Sequence, residues 1–182
     1  MANVIYIPWS LPDAAEFLNY SQQWVAADNA AKTKHTRNWQ IVKHGDPGSP
    51  LSGLSAGSTI YVRGHGGPGD HELEATDTGA GTISYEDVCD RMIADGLKKS
   101  FLGTIKFATC NSGVPTVGRQ AFAAKCSQYF RFKKGYLLIS FVGYMGSIDC
   151  EYGDEGGTTK HEHKFVTMLG REVKSKWAQF RF

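Results

Sequence analysis

Five short apolar, β-rich runs constrain the fold of this chain more than any other feature. They are Val4-Ile5-Tyr6-Ile7, Trp39-Gln40-Ile41-Val42, Thr59-Ile60-Tyr61-Val62-Arg63, Thr104-Ile105-Lys106-Phe107-Ala108 and Tyr136 to Val142. Each is bounded by turn residues, as strands are. Helical patterns fall between them. Asp13 reads as an N-cap or first-turn acid for a helix from Ala14 to Lys32, with Phe17, Leu18, Trp24 and Val25 on its apolar side. Ser84 opens a second helix, and Asp87 three residues later supplies the acidic half of a capping box. A third helix is expected from about Val117 to Phe130. Strands alternating with helices predict an α/β domain with a mostly parallel central sheet and helices on both faces. The very apolar fifth run predicts burial on both its faces.

At 182 residues the chain is long enough for one domain with its own core. That core is expected over about residues 3–146. Residues 147–182 read as a flanking loop plus a C-terminal extension. Ser147 to Lys160 is polar, acidic and glycine-bearing. His161 to Phe182 fits either a helix, with Phe165, Leu169, Val173 and Trp177 at four-residue steps, or a hairpin turning at Gly170-Arg171. Composition enters through glycine, 21 residues, about 12% against a usual ~7%. No G-X-Y period exists, so collagen is excluded. The glycines gather instead at Gly64, Gly66, Gly67 and Gly69, at Gly113 and Gly118, and from Gly143 to Gly157.

Other classes drop out in turn. Twenty basic and eighteen acidic residues give a net charge of +2, without the dense basic stripe of a nucleic-acid binder. No apolar run approaches the ~18 residues that span a bilayer. No basic region precedes the first apolar stretch, so the expected location is the cytoplasm, or outside the cell by export without a signal peptide as an effector. The four cysteines form no C-x-x-C pair, which excludes zinc-ribbon and thioredoxin readings and leaves reduced thiols as the simplest state. His161-Glu162-His163 lacks a third ligand nearby, so no metal is expected. The P-loop motif and a G-x-G-x-x-G after the first strand are both absent, so no nucleotide cofactor is expected.

Ligands of open α/β sheets bind beyond the carboxyl ends of the strands. Two reactive residues stand at such ends here, His65 after the third strand and Cys110 after the fourth. Consecutive strands usually lie side by side, which would bring both side chains to one edge of the sheet. A cysteine nucleophile needs a nearby base to form thiolate, and histidine supplies one. Attack on a carbonyl creates an oxyanion, for which the backbone N–H groups of Gly66 and Cys110 are the candidate donors. Asn111-Ser112-Gly113 leads towards the third helix, whose start would further favour thiolate.

A hydrophobic strand ending in His-Gly, followed about forty-five residues later by one ending in Cys, resembles the caspase-like (clan CD) cysteine peptidases. Ile60 to Gly66 resembles the histidine motif of that group, and Ile105 to Gly113 its cysteine motif. The Cys-x-Ser-Gly ending is similar to that of metacaspases and legumains. The Gly-His-Gly form looks most like the autoprocessing domains of large bacterial toxins. The resemblance covers Val4 to Val142 and implies a three-layer caspase-like sandwich, peptide-bond hydrolysis through a His65–Cys110 dyad, and a protein or peptide substrate. It implies no cofactor, although the toxin domains are switched on by inositol hexakisphosphate. Arg131, Lys133, Lys134, Lys174, Lys176 and Arg181 are the basic residues available for such a polyanion. Trp9, Ala108 and Asp149 are the candidate substrate contacts. Metacaspases carry an acid at the position of Ala108 and caspases a glutamine, so neither preference transfers; a small Ala108 leaves room for an apolar side chain. Asp149, Glu151, Asp154 and Glu155 form a negative loop that could instead select a basic one.

Cys89 and Cys126 read as packing residues within helices, Cys150 as a loop residue, and Asp70 and His71 as a solvated loop. Two rival functions stand beside the peptidase: acyl transfer or deamidation by the same Cys–His pair on a protein substrate, and a caspase-like interaction module with a vestigial site. A nucleotide or flavin binder is the third. Oligomeric state is left open.

Overall fold

The computed structural model describes residues 2–30, 37–148, 165–168, 171–174 and 179–182, with 165–168 and 171–174 as backbone only. Asp149, Cys150, His161-Glu162-His163, Lys176 and the glycines at 153, 156 and 157 lie outside the described residues. The elements run β1 (Ala2–Ile7), α1 (Ala15–Ala30), β2 (Asn38–Lys43), β3 (Thr59–Arg63), β4 (Glu72–Leu73), β5 (Ile83–Ser84), α2 (Tyr85–Ala94), β6 (Thr104–Ala108) and α3 (Phe122–Gln128). A π-helical turn over Tyr129–Lys133 extends α3. Then come β7 (Ser140–Tyr144), β8 (Ser147–Ile148), β9 (Phe165–Met168), β10 (Arg171–Lys174) and β11 (Gln179–Arg181).

The chain is an α/β fold around a six-stranded sheet in the order β11-β7-β6-β3-β1-β2. Five of the strands are mutually parallel, and β11 alone runs antiparallel, on the edge beside β7. Side chains alternate across the sheet, and the two sets have different neighbours. Tyr61 and Arg63 of β3 pack against Trp24 and Phe17 of α1. The alternate set includes Phe107, which stacks edge-on against Phe122 of α3, and Phe141, which meets Phe130. Val4, Ile5, Tyr6 and Ile7 of β1 are all fully buried, as befits a central parallel strand covered on both faces. Among the described residues, no helix is long and apolar enough to cross a membrane.

Two expected elements move. The third helix begins at Phe122 rather than Val117. Thr116 and Arg119 exchange both backbone hydrogen bonds, at 3.0 Å each, around a tight turn in which Gly118 has φ +75°. Those backbone groups are thus unavailable to a helix, and Val117 stands fully exposed. The fifth strand begins at Ser140 rather than Tyr136, because its partner β6 begins at Thr104, opposite Ser140. Tyr136 packs its ring on Phe130 and donates its hydroxyl to Leu97 O, while Leu137 and Leu138 are exposed. In the C-terminal segment β9 and β10 pair antiparallel, Arg171 opposite Met168, which is the hairpin alternative and not the helix.

The capping box of α2 forms as read. Ser84 Oγ accepts from the Asp87 N–H at 3.1 Å, and the Ser84 N–H donates to the Asp87 carboxylate at 3.2 Å. Hydrogen bonds from Ser84 hold the Asp87 carboxyl below its ordinary range. A lowered folded-state value means stability that is present above the unfolded value and fades as pH falls through the folded one. Replacing Asp87→Ala is therefore expected to cost about 1 kcal/mol at neutral pH, measured from urea midpoints. The difference from wild type should shrink below the ordinary Asp range near 3.8.

Candidate active site

The site rests on the pairing of β3 with β6, in which Tyr61 lies opposite Lys106 and Arg63 opposite Ala108. Two residues beyond each strand stand His65 and Cys110. They therefore emerge at equivalent positions, on the face that α1 covers. Backbone bonds from His65 N–H to Glu74 O (3.0 Å) and from Glu74 N–H to His65 O (3.1 Å) hold His65 extended past the end of β3. The His65 ring packs on Phe17, with centroids 4.8 Å apart. Its Nε2 lies 2.8 Å from a carboxylate oxygen of Glu16, in the first turn of α1. A carboxylate accepts, so Nε2 carries a proton in this contact, and in the neutral imidazole the lone pair is on Nδ1. The side chains of His65 and Glu16 are 31% and 28% exposed, open to a substrate.

The loop around His65 needs its glycines. A Cβ at Gly64 would stand 3.0 Å from Leu73 and 3.2 Å from Trp9. One at Gly66 would stand 3.3 Å from Leu73 and 3.6 Å from the Cys110 carbonyl oxygen, so the two loops run in close contact. Among the described residues the Gly66 N–H donates to no acceptor, as an oxyanion donor requires. Asp70 takes the Gly67 N–H, and the Gly69 N–H reaches across to Val114 O at 2.9 Å. Histidine and cysteine loops are thus tied together.

The cysteine loop is anchored to β7. Asn111 sits at φ +53°, a left-handed conformation that asparagine tolerates. Ser112 is 1% exposed. Its Oγ lies 2.8 Å from Phe107 O, to which it donates, and accepts from the Tyr144 N–H at 3.0 Å. The Gly113 N–H donates to Tyr144 O at 2.8 Å, and the Asn111 N–H to Gly146 O at 2.9 Å. Gly113 and Gly143 meet back to back: a Cβ on Gly143 would lie 2.6 Å from the Gly113 Cα. The thiol itself faces β8. Cys110 Sγ accepts from the Ile148 N–H at 3.3 Å and lies 3.9 Å from Ile148 O.

The expected substrate contacts are placed as follows. Ala108 is 3% exposed and clusters with Tyr144 and Ile148, which fill the space beside it. Trp9 is 2% exposed, donates its indole N–H to Gly81 O at 2.6 Å and stacks on Phe17, so it supports the histidine loop from below. Asp149 lies outside the described residues. Of the basic set, Arg131 reaches the carbonyls of Ile139 and Phe182, and Lys134 pairs with Asp90 at 2.8 Å. Cys89 and Cys126 are buried in α2 and α3, and burial pushes the Cys126 thiol well up. His71 sets its ring against Tyr85 and gives its carbonyl to the Tyr85 N–H. Among the described residues no three His, Cys, Asp or Glu side chains cluster as metal ligands.

Glu16 escaped the sequence reading, because no local motif links the first turn of α1 to a loop forty-nine residues on. No protein-family model matches the chain, and no curated protein matches it. Chemically, the arrangement offers a thiol, a histidine base with an orienting carboxylate, and a backbone donor at one sheet edge. The Gly113–Gly143 contact is directly testable. Gly143→Ala should destabilise the protein by about 1–3 kcal/mol through overpacking and lower thiol reactivity at Cys110. Gly53→Ala, where a Cβ meets nothing within 4 Å, should shift stability by no more than ~0.5 kcal/mol. Thermal or urea melts of the two variants check this.

Proposed function

We propose that the chain is a cysteine endopeptidase of the caspase-like type. The observation that supports this best is the register-equivalent emergence of His65 and Cys110 from adjacent parallel strands, with Glu16 on the far nitrogen of the imidazole. Packing of α1 on one set of sheet residues and α3 on the alternate set agrees with a caspase-like three-layer sandwich.

In this reading His65 Nδ1 takes the thiol proton and Cys110 Sγ attacks the substrate carbonyl carbon. The carbonyl oxygen becomes an oxyanion, held by the N–H groups of Gly66 and Cys110. Glu16 steadies the imidazolium that results. Collapse breaks the C–N bond, the imidazolium returns its proton to the departing amine, and an acyl-thioester remains. His65 then deprotonates a water that attacks the thioester, releasing the carboxylate product and regenerating the thiol. In the resting form the sulfur accepts the Ile148 N–H at 3.3 Å, so β8 borders the nucleophile.

Hydrolysis of a peptide library with wild type and variants tests the reading. Cys110→Ala and His65→Ala should both abolish cleavage. Glu16→Gln should lower kcat by on the order of 10²-fold, with KM little changed and an altered pH profile. Fragments in the mass spectrum are the expected product; the small mass gain of deamidation on an intact protein would favour acyl transfer instead. Cleavage that survives Cys110→Ala would overturn the proposal.

A further inference from the structure

The net charge of +2 conceals an uneven distribution. From Gly96 to Ile148, fifty-three residues, the sequence holds eight lysines and arginines and no aspartate or glutamate. The other residues carry twelve basic against eighteen acidic side chains. A segment biased this far towards one sign is a candidate surface for an anionic partner.

The fold gathers part of that segment at the amino edge of the sheet, where β6 starts at Thr104 opposite Ser140 at the start of β7. Two turns precede those strands and are fastened to each other. Tyr136 donates its hydroxyl to Leu97 O at 2.7 Å, and the Ser140 N–H donates to Gly103 O at 3.1 Å. The Lys99 ammonium comes within 3.7 Å of where a Cβ on Gly135 would stand. The Tyr136 N–H donates to Phe130 O at 2.9 Å, which ties in the π-helical turn. Residues 98–102 and 132–138 thus share one edge of the sheet, and His65 and Cys110 leave from the other.

The side chains of this edge are of two kinds. Phe132, Leu137 and Leu138 are 81%, 70% and 68% exposed, and Leu102 is exposed beside them. Four of the seven large hydrophobic side chains exposed among the described residues therefore stand here. Lys98, Lys99 and Lys133 are exposed as well. Lys134 pairs with Asp90 at 2.8 Å, and Arg131 donates to the carbonyls of Ile139 and Phe182, so these two cations secure the turn. The turns are held by the hydrogen bonds above, so fraying does not account for the apolar exposure. A cluster of this kind marks a contact surface.

Apolar tips beside ammonium groups fit the boundary of an anionic bilayer. The phenyl and isobutyl groups enter the acyl layer, and the lysines meet the charged headgroups. A nucleic acid would engage the lysines and leave the leucines in water. A second copy of this chain would set lysines against lysines.

We propose that the chain docks peripherally on anionic membranes through this amino edge, with Phe132, Leu137 and Leu138 inserted and Lys98, Lys99 and Lys133 on the lipid headgroups. His65 and Cys110 then face the aqueous side. The inference does not rest on the peptidase reading.

Co-sedimentation of the full chain with vesicles tests it, comparing phosphatidylcholine alone with a phosphatidylcholine–phosphatidylserine mixture. Partition onto the mixed vesicles should be at least roughly tenfold higher and should fall as salt rises. Phe132→Ser, and Lys98→Glu combined with Lys99→Glu, should each lower it by about tenfold or more. Val117→Ser removes an equally exposed apolar side chain from the turn after the cysteine loop and should change nothing. Equal partition onto the two vesicle types, no partition onto either, or binding that survives both test variants would overturn the proposal. A dimer in light scattering that Phe132→Ser abolishes would assign the surface to a second copy. Tighter binding to a duplex oligonucleotide than to the mixed vesicles, lost in the lysine variant, would assign it to nucleic acid. Either result would overturn the proposal likewise.

Discussion

The in-register pairing of β3 with β6 is the constraint on which the site depends. Thr59 faces Thr104, and the register holds without a bulge to Arg63 and Ala108. A slip of one residue would turn one of the two loops to the opposite face. The register is strongly specified, because Ile60, Val62, Ile105 and Phe107 are all fully buried on the other face. The hydrophobic core and the edge that carries His65 and Cys110 are thus two consequences of one alternation.

Past the strand ends, small residues do the positioning. Gly66 lets the histidine loop approach the Cys110 carbonyl, and Gly113 against Gly143 lets the cysteine loop lie flat on β7. Ser112 bridges Phe107 O and the Tyr144 N–H, so it fixes the turn after Cys110 to both neighbouring strands. That gives the Cys-x-Ser-Gly sequence a local physical reason: a buried hydroxyl satisfies two backbone groups, and a missing side chain allows close contact. The glycine excess is accordingly mixed in purpose. Gly118 opens onto free space in a turn, whereas Gly143 lies within a buried strand.

Where local pattern and tertiary packing agreed, the sequence was legible. β3 and β6 have the bounds read from their apolar runs, and α2 starts at its capping box. The emergence of His65 and Cys110 beyond the paired ends of β3 and β6 followed from strand ends and chain order. The misreadings have non-local causes. Tyr136 to Ile139 carries strand-forming residues but, among the described residues, has no strand beside it to pair with. The expected helix start at Val117 fails because the Thr116–Arg119 bonds claim the backbone there. Glu16 and Ile148 reach the site only through the packing of α1 and β8, which no spacing along the chain announces.

The central claim is that His65 and Cys110 act as one reactive pair. Site-resolved alkylation of the native protein by iodoacetamide, followed against pH in wild type and His65→Ala, tests it most directly. Cys110 should react far faster than the buried Cys89 and Cys126, and the His65→Ala protein should lose that reactivity near neutral pH and recover it only where an ordinary thiol ionises. An identical pH profile for Cys110 in the two proteins would contradict the account.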